Sequence, residues 1–280
     1  MGAERWPGVA APGDPLDVSS LAAGALGTRR LGRKIHYFSE ISSTNAWARR
    51  LAEMGAEDGE IVIAEGQTQG RGRLGRSWVS PPFCNLYFSL VLRPRLDPAH
   101  AAQLTLTAAV AVTDSLAAFM PVTPEIKWPN DVLAGGKKLA GILTESSCRS
   151  DRVDFVVLGI GVNVNYPTEA MPEAIRERAT SIMAQNGSAV SRERLAQRLI
   201  QDLDRCYGEL QDSGFAGIAA RWEERFWLRG RTVRAVMLEE TVVGRARGID
   251  AEGALLLEEA SGTIRRVLAG DVTPVEDGAA

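Results

Sequence analysis

The clearest helical pattern in the chain begins just after residue 43. In AWARRLAEMGA, residues 46–56, the apolar Trp47, Leu51 and Met54 recur every three or four positions. This spacing predicts an amphipathic helix with these side chains on its buried face. Ser43 stands before the run and offers the side-chain oxygen of a helix N-cap. We therefore expect a helix that begins at the Ser43-Thr44-Asn45 segment.

Strand and helix patterns then follow each other in mixed order. Short apolar runs predict strands, and longer periodic runs predict helices. In 85–93 every second residue is apolar, which predicts a strand with one buried face. The other strands are expected at 60–65, 136–147 and 152–165, and the other helices at 98–119, 191–212 and 215–227. This order predicts a domain of mixed helices and strands over 35–228.

The two ends of the chain differ from this domain. Residues 1–34 are rich in Gly, Ala and Pro and have no sustained period, which predicts a flexible tail. After Trp227 the chain consists of short alternating segments broken by turn residues at 250–253 and 261–262. Such spacing is typical of a small β-barrel, so we expect a second, all-β domain over 229–280.

Composition excludes several classes of protein. The chain has 280 residues and a net charge of −3, from 32 basic and 35 acidic side chains, so no global field attracts nucleic acid or an anionic membrane. Its three cysteines are widely spaced and fit neither a disulfide framework nor a Cys-x-x-Cys metal site. There is no signal peptide or apolar run long enough to cross a bilayer. We expect a cytoplasmic protein.

The segment GQTQGRGRLGRSW, residues 66–78, contains the spacing Gly-x-Gly-x-x-Gly of dinucleotide-binding turns. That motif requires a strand directly before the glycines and a helix after them. Here GQTQ separates the strand at 60–65 from Gly70, and Pro81-Pro82 prevents a helix from continuing. The nucleoside-triphosphate P-loop spacing is also absent. The context therefore argues against both nucleotide-binding motifs.

Arginines are the remaining functional candidates in this segment. Arg71, Arg73 and Arg76 can bind carboxylates and phosphates bidentately, and the glycines let the backbone approach a ligand closely. The alternative is a solvated basic turn. Because the loop carries so much like charge, we expect it to be disordered when empty and ordered by an anionic ligand. Trp78 is expected to pack in the core rather than contact ligand.

A second polar cluster lies in KWPNDVLAGGKKLAGILTE, residues 127–145. Lys127, Lys137 and Lys138 occur there beside Asn130 and Asp131, a combination suited to a nucleoside triphosphate and its Mg²⁺. For Asp131 alone, an Asx-turn is the alternative.

The glycine-rich segment GIGVNVN, residues 159–165, adds a further candidate, Asn163, at the end of a predicted strand. Its glycines would permit close approach of a ligand, and the alternative is a simple β-bulge.

Four motifs in this order resemble those of biotin–protein ligases, also called biotin–[acetyl-CoA-carboxylase] ligases. They are Ser43-Thr44-Asn45, Gly70-Arg71-Gly72-Arg73-x-Gly75-Arg76-x-Trp78, Lys127-Trp128-Pro129-Asn130-Asp131 and Lys138-Leu139-Ala140-Gly141-Ile142-Leu143. The resemblance covers roughly 35–275. It implies an α+β fold, with a mixed sheet and flanking helices akin to the class II aminoacyl-tRNA synthetase core, followed by an SH3-like β-barrel.

The resemblance also implies a two-step reaction. The biotin carboxylate attacks the α-phosphorus of Mg-ATP to give biotinyl-5′-AMP and pyrophosphate, and a lysine of a biotin carboxyl carrier protein then takes the biotinyl group. Neither step requires a covalent enzyme intermediate. Positioning and charge neutralisation would therefore carry the catalysis.

The resemblance assigns roles to individual residues. Lys138, Asp131 and Arg73 would be catalytic, Asp131 as the group that orients the acceptor amine or accepts its proton. Biotin and its adenylate would contact a larger set: Ser43, Thr44, Asn45, Gln67, Gly70, Arg71, Gly72, Arg73, Lys138 and Gly141. ATP would contact another: Arg71, Arg76, Lys127, Asn130, Asp131 and Asn163. The metal ligands are left unassigned.

Two other functions are compatible with parts of this pattern. A lipoate ligase or octanoyl transferase would share the catalytic fold, but would need a longer apolar slot and a different glycine-rich signature. A non-catalytic regulator could bind biotin or nucleotide in the same pocket. The short N-terminal segment replaces the winged helix-turn-helix of some relatives, so no DNA binding is expected. A homodimer through exposed sheet edges is possible from sequence.

Overall fold

The computed structural model of the chain describes residues 15–149, 152–238 and 240–275. The α-helices in these ranges are α1 (Ala23–Leu26), α2 (Thr44–Glu53), α3 (Ala102–Ala117), α4 (Glu173–Arg176), α5 (Ile182–Asn186), α6 (Arg192–Ser213) and α7 (Ala216–Glu224). Short 3₁₀ helices occupy Val18–Leu21, Arg73–Gly75, Pro98–His100 and Thr168–Ala170. No helix in the described part of the chain is both long and apolar enough to span a membrane.

The strands form two separate sheets. The first contains β1 (Ile35–Phe38), β2 (Glu60–Ala64), β3 (Leu86–Leu92), β4 (Glu125–Lys127), β5 (Asp131–Ala134), β6 (Lys137–Arg149) and β7 (Arg152–Val162). The second contains β8 (Thr232–Val236), β9 (Thr241–Ile249), β10 (Leu255–Glu258), β11 (Ile264–Val267) and β12 (Asp271–Pro274). The first sheet has the order β1-β2-β3-β7-β6-β5-β4, with β1 parallel to β2 and the other pairs antiparallel. The mixed sheet confirms the expected fold class.

Helices cover both faces of the first sheet. The long helix α3 lies against α6 and α7 and against the β4–β6 side, and these elements share the main hydrophobic core. On the opposite face, α2 packs on β2, β3 and β7 around Val62, Val91 and Val157. All seven residues of β3 are therefore buried, and the expectation of a strand with one buried face was wrong. Its polar positions are buried beneath α2 and the candidate site described below.

Helix α2 starts as its sequence predicts, and two residues of its predicted buried face, Trp47 and Leu51, are partly buried and pack against the cluster beneath the helix. The Ser43 side chain accepts a hydrogen bond from the backbone N–H of Ala46 and caps the helix. Met54, expected on the buried face, is 74% exposed. The small Ala48 and Ala52 are buried instead. The helix thus approaches the sheet through small side chains, which allows the backbone at its N-terminus to lie close to β3 and β7.

The N-terminal segment contradicts the prediction of a flexible tail over residues 15–34. Leu16, Leu21 and Leu31 are nearly completely buried in the main core. The Asp204 carboxylate accepts backbone hydrogen bonds from Arg29, Arg30 and Leu31, which fixes this segment to α6. The prediction rested on the Gly- and Ala-rich composition and gave no weight to these three leucines, which supply the segment's contact with the core. Residues 1–14 of the predicted tail lie outside the described residues.

The C-terminal strands form an antiparallel five-stranded sheet with the order β11-β10-β9-β8-β12. It is consistent with the expected SH3-like domain. Hydrogen bonds attach this sheet to the first domain. Trp128 Nε1 donates to Gly253 O at 3.2 Å, and Gln103 Nε2 donates to Ala251 O at 2.8 Å. These contacts bring the start of β12 to the edge of a cleft in the first domain.

Candidate active site

The floor of this cleft consists of backbone from two neighbouring strands. Gly141 of β6 lies opposite Gly161 of β7, and Leu143 lies opposite Gly159. A Cβ at Gly159 would lie 1.9 Å from Asn45 Oδ1, and one at Gly161 would lie 2.5 Å from the Trp78 ring. No register shift occurs at these positions, so the bulge considered for GIGVNVN is not formed there. The glycines therefore lower the sheet surface and let other side chains lie on it.

One end of the cleft is a network of uncharged polar groups. Gln67 Oε1 accepts from the Thr44 N–H at 2.9 Å and from Thr44 Oγ1 at 3.2 Å, while Gln67 Nε2 donates to Ser80 Oγ at 3.0 Å. Ser89 Oγ lies 2.8 Å from Thr44 Oγ1 and 2.7 Å from Asn45 Oδ1. These groups are held in fixed orientations. This end is suited to an uncharged ring that carries hydrogen-bonding groups.

Asn45 belongs to the same network but turns towards the sheet. Its Nδ2 donates to Glu145 Oε2 at 2.9 Å and to Leu143 O at 3.4 Å. Its Oδ1 lies against Ser89 and Gly159. The polar atoms of Asn45 are thus bonded within the protein. We infer that Asn45 shapes the pocket wall.

Residues 70–78, which contain Arg71, Arg73 and Arg76 and are called the arginine loop below, cover the cleft as a short hairpin. Its base is closed by a hydrogen bond from Trp78 N to Gly70 O at 2.9 Å, and its tip by one from Gly72 N to Arg76 O at 2.7 Å. A Cβ at Gly70 would lie 2.3 Å from Trp78 O, so glycine permits the close base of the hairpin. Disorder of this loop in the absence of ligand stays a prediction, and in the structure two of its three arginines, Arg73 and Arg76, have partners on either side of the cleft.

Those partners belong to both domains. Arg73 Nη1 donates to Asn130 Oδ1 at 3.1 Å and to Gly270 O at 3.4 Å. Arg76 forms an ion pair with Asp271. Burial lowers the pKa of Arg73 from its ordinary value, against the opposing effect of the Asp271 and Asp131 carboxylates. Arg71 remains exposed at the cleft.

Lys138 and Asp131 form the charged centre of the cleft. Asp131 is the first residue of β5 and Lys138 lies on β6, and Lys138 Nζ is 2.7 Å from Asp131 Oδ1. Lys138 Nζ also lies 5.3 Å from the centre of the Trp78 ring, within the range of a cation–π interaction. Beside them, Asn130 donates from Nδ2 to Ile142 O at 2.8 Å, which fixes the start of β5 to β6. A carboxylate and an ammonium are thus paired over the glycine floor.

A second pocket of about 420 Å³ adjoins this centre and is lined by Lys127, Asp131, Lys138 and Asn163 among others. Burial lowers the pKa of Lys127 from its ordinary value, partly offset by Asp131 and Asp271. Asn163 is nearly fully buried and donates from Nδ2 to Thr180 O at 3.0 Å. This pocket offers cationic groups and a wide volume to a phosphate-bearing ligand.

Most of the predicted site residues meet around these two pockets. The first pocket is lined by Ser43, Thr44, Asn45, Gln67, Arg71, Gly72, Arg73, Arg76, Asn130, Asp131, Lys138 and Gly141. Lys127 and Asn163 line only the second, and Gly70 lies at the base of the loop hairpin. Lys137 lines neither pocket.

Sequence reasoning was wrong about Trp78. Its ring is half-buried, lies over Gly141 and Gly161, and lines both pockets. Its Nε1 has no hydrogen-bond partner among the described residues.

Three contributors were missed altogether: Ser89, Glu145 and Asp271. These residues lie in separate strands, so no local motif contains them. For Ser89 the sequence offers one signal, a polar residue in the middle of a strongly apolar predicted strand.

Comparisons with known proteins agree with this geometry. Residues 37–163 match the Biotin/lipoate A/B protein ligase family, and residues 229–273 match the Biotin protein ligase C terminal domain. The first domain has a mixed sheet and a cleft with a glycine floor and cationic side chains, and the C-terminal domain follows it. Together with the two family matches, this arrangement places the chain in the class of biotin and lipoate protein ligases.

Individual relatives narrow the class. The chain is 39% identical over 264 residues to the biotin–[acetyl-CoA-carboxylase] ligase of Mycobacterium tuberculosis, covering 92% of this chain and 95% of that relative. It is 39% identical over 247 residues to the bifunctional ligase/repressor BirA of Bacillus spizizenii, covering 88% of this chain and 76% of that relative. The structure of the biotin protein ligase from Aquifex aeolicus in complex with biotin and ATP has a TM-score of 0.75 and 28% identity, covering 87% of this chain and 100% of that one. The chain belongs to the biotin protein ligase family.

Proposed function

We propose that the chain activates biotin with ATP to give biotinyl-5′-AMP and transfers biotin to a lysine of a biotin carboxyl carrier protein. The observation that supports this function best is the composition of the cleft. A fixed network of uncharged polar groups at one end adjoins the Lys138–Asp131 pair and the arginine loop at the other. A neutral ring with a carboxylate tail matches both ends.

In the first step, a biotin carboxylate oxygen bonds to the α-phosphorus of ATP and the bond to pyrophosphate breaks. Lys138, Arg71 and Arg73 are our candidates for stabilising the charge that develops on the phosphate oxygens. Removal of one such donor typically lowers a rate by about 10²–10³-fold. The half-burial of Lys138 and Arg73 supports this role, because partial exclusion of water strengthens their interaction with an anion.

In the second step, the amine of the acceptor lysine attacks the biotinyl carbonyl. The amide C–N bond forms, the bond from carbonyl carbon to phosphate oxygen breaks, and AMP leaves. Asp131 is our candidate for orienting the amine or accepting its proton, which its place in the lining of both pockets supports. Phosphate bound by Lys138 would compete with Asp131 for that ammonium and free the carboxylate for the amine.

ATP is assigned to the second pocket and the adjoining part of the cleft, with Lys127, Asn130, Asp131 and Asn163 as contacts and Arg76 at the mouth. Mg²⁺ would enter with ATP, and the substrate's phosphates and water would supply most of its ligands, as is usual for this ion. Among the residues that the structure describes, no three acidic, His or Cys side chains cluster as a metal site. Asp131 is the carboxylate placed to contact such an ion.

The partner we propose is the biotin carrier domain of an acetyl-CoA or related carboxylase, and the place of action is the cytoplasm. We also propose, from the sequence, that the chain does not bind DNA and that it forms a homodimer through exposed sheet edges.

Pyrophosphate release from Mg-ATP tests the adenylating step, with biotin, lipoate and octanoate supplied separately. We expect release that depends on biotin alone. Release with lipoate or octanoate would assign the chain to the related acyl ligases, and no release from folded protein would favour a non-catalytic regulator.

Lys138→Ala and Lys137→Ala form a matched pair for the same assay. The first removes the ammonium paired with Asp131, and we expect its rate of pyrophosphate release to fall by about 10²-fold or more. The second removes the adjacent lysine, which lines neither pocket, and should keep the parent rate. Equal rates in the two variants would contradict the catalytic role of Lys138.

A further inference from the structure

The arginine loop and the C-terminal domain meet at the mouth of the cleft. Asp271, the first residue of β12, pairs with Arg76, whose Nη1 lies 3.4 Å from Asp271 Oδ1. Both terminal nitrogens of Arg73 lie 3.4 Å from the neighbouring Gly270 O. Asp271 itself lines the cleft together with Thr44 and Lys138. Two consecutive residues of one domain therefore hold two arginines of the other.

The loop has little else to hold its tip. Within the loop, the tip is closed by backbone hydrogen bonds from Gly72 N to Arg76 O and from Arg76 N to Arg73 O. Leu74, between these residues, is 66% exposed and adopts a left-handed backbone with φ of +55°. Arg73 is bound on its other side by Asn130 Oδ1 at 3.1 Å. The position of the tip is therefore set by its arginines, which lie between Asn130 of the catalytic domain and 270–271 of the C-terminal domain.

The C-terminal side of this contact is fixed in place. Gly270 has a φ of +157°, and a Cβ at this position would lie 2.7 Å from Val236 O. Glycine therefore lets the chain turn closely against β8 and present its carbonyl to Arg73. Asp271 then enters the ladder between β12 and β8, paired with Val236. The acceptor groups for both arginines are thus attached to a sheet.

We propose that the C-terminal domain holds the arginine loop closed over the cleft through Asp271, and that this contact retains the biotinyl adenylate until the acceptor lysine arrives. The second half of the proposal rests on the proposed function. Asp271 is a positioning residue here: it acts on the ligand through Arg76. The first half concerns the loop alone and is testable without any substrate.

Limited trypsin digestion of the unliganded full-length protein tests loop closure, since Arg71, Arg73 and Arg76 are themselves cleavage sites. At low salt, Asp271→Asn should be cut in the loop about two- to fivefold faster than the parent, the range expected for one exposed ion pair. Asp271→Glu should restore protection. Glu258→Gln, which removes a different carboxylate–arginine pair from the same domain, should leave the loop rate unchanged.

High salt should raise cleavage of the parent loop towards the rate of Asp271→Asn, because it screens an exposed ion pair. Equal loop cleavage of the parent and Asp271→Asn at low salt would overturn the proposal. This outcome does not depend on biotin or ATP, so it is separate from failure of the proposed function.

Retention is measured with biotin and Mg-ATP in the absence of an acceptor. Steady-state pyrophosphate release then reports escape of the adenylate and its hydrolysis to biotin and AMP. We expect Asp271→Asn to raise this steady rate about two- to fivefold. Relative to the single-turnover rate of adenylate formation measured in the same variant, the steady rate should rise by at least this factor. A slower single turnover without a faster steady rate would show that Asp271 acts on ATP instead, and a slower steady rate would show that its charge opposes the ligand. Either result overturns retention.

Discussion

At the scale of single residues, the cleft depends on its glycines as much as on its polar and charged side chains. Gly141, Gly159 and Gly161 leave the surface of two strands bare, and Asn45 and Trp78 lie on that surface. The charged groups are then arranged around it. A single methyl group on the floor should therefore disturb ligand binding before it disturbs folding.

Gly159→Ala tests this point. The added Cβ would lie 1.9 Å from Asn45 Oδ1, so Asn45 must move and the hydrogen bond to Ser89 must break. We expect the KM for biotin in pyrophosphate release to rise by about tenfold or more, the effect of losing roughly 1.4 kcal/mol of binding. Gly24→Ala is the control, since its Cβ would meet nothing within 4 Å. An unchanged KM in Gly159→Ala would contradict the assignment of this floor to biotin.

Lys127, which we propose as an ATP contact, lowers the stability of the folded protein in its charged form. Because burial lowers its pKa, the folded state disfavours the charged form. We expect Lys127→Met to raise the melting temperature at neutral pH by about 2–4 °C, the shift that corresponds to roughly 1 kcal/mol in a domain of this size. The same variant should lose affinity for ATP. Lys137→Met, outside both pockets, should show neither effect.

The pH dependence of this effect has a definite sign. A lysine whose pKa is lowered on folding binds its proton less well in the folded state than in the unfolded state. Its penalty is full below the folded pKa and disappears as pH rises towards the ordinary value of 10.5. The advantage of Lys127→Met in thermal unfolding should therefore shrink at alkaline pH, and an advantage that grows there would contradict the argument.

Sequence alone predicts the charged residues of the candidate site better than the residues that hold the site's side chains in position. Lys127, Asp131 and Lys138 stand within a dozen positions, where two turns bring them together. Ser89 and Asp271 come from distant strands, and only the register of the sheets and the packing of the two domains brings them to the cleft. A linear pattern does not contain that information.

At the scale of elements, a buried ion pair and the hydrogen bonds to its carboxylate join four parts of the fold. Arg192, at the start of α6, lies 2.6 Å from Glu65 Oε2 just after β2, and both side chains are nearly completely buried. Glu65 Oε1 also accepts from the backbone N–H of Leu16 at 2.7 Å and from Tyr37 Oη at 3.0 Å. The carboxylate thus fixes the N-terminal segment, β1, β2 and α6 to one another.

Arg192→Met would leave the Glu65 charge buried without this guanidinium. We expect the free energy of unfolding to fall by about 3–5 kcal/mol, as is typical when one member of a buried ion pair is removed. Urea denaturation measures the change. Adding Glu65→Gln to Arg192→Met should recover part of the loss, because the uncompensated charge is then gone. A loss below about 1 kcal/mol in the single variant would show that the pair does not carry this connection.

In the first domain, the longest elements were predictable, and two of the shortest were not. The sequence pattern anticipated α3, α6, β3, β6 and β7, each of which has enough residues to show a period. β4 and β5 have only three and four residues and were missed. The first turn of α2 was predicted from its Ser43 cap. Of the predicted buried face, Trp47 and Leu51 are partly buried and Met54 is exposed, since close packing on the sheet favours the small Ala48 and Ala52.

At the scale of the whole molecule, the two-domain organisation was predictable from the change in pattern after Trp227, but the contact between the domains was not. Leu106 of α3 lies beside Gly253, where a Cβ would be 2.7 Å from Leu106 Cδ1 and where φ is +89°. The domains thus approach closely at a glycine that sequence reasoning treated only as a turn residue.

Gly253→Val should weaken this contact in two ways, through steric overlap with Leu106 and through backbone strain at a positive φ. We expect a lower melting temperature together with faster trypsin cleavage of the arginine loop, because β12 would no longer be held at the cleft. Gly262→Val, which has a positive φ but nothing within 4 Å, separates strain from overlap. If both variants expose the loop equally, domain contact at Gly253 has no part in positioning it.

The bare floor of the cleft also limits how the range of accepted acids could change. At Gly141, Gly159 and Gly161 the side chain is already the smallest that exists, so substitution there can only make the slot shallower. A deeper or longer slot must come from the opposite wall, where the Trp78 ring lies over two of these glycines. Variants selected to accept a bulkier or longer carboxylic acid should therefore carry changes at Trp78 or in the arginine loop. Those that reject biotin in favour of a shorter acid should carry them on the floor.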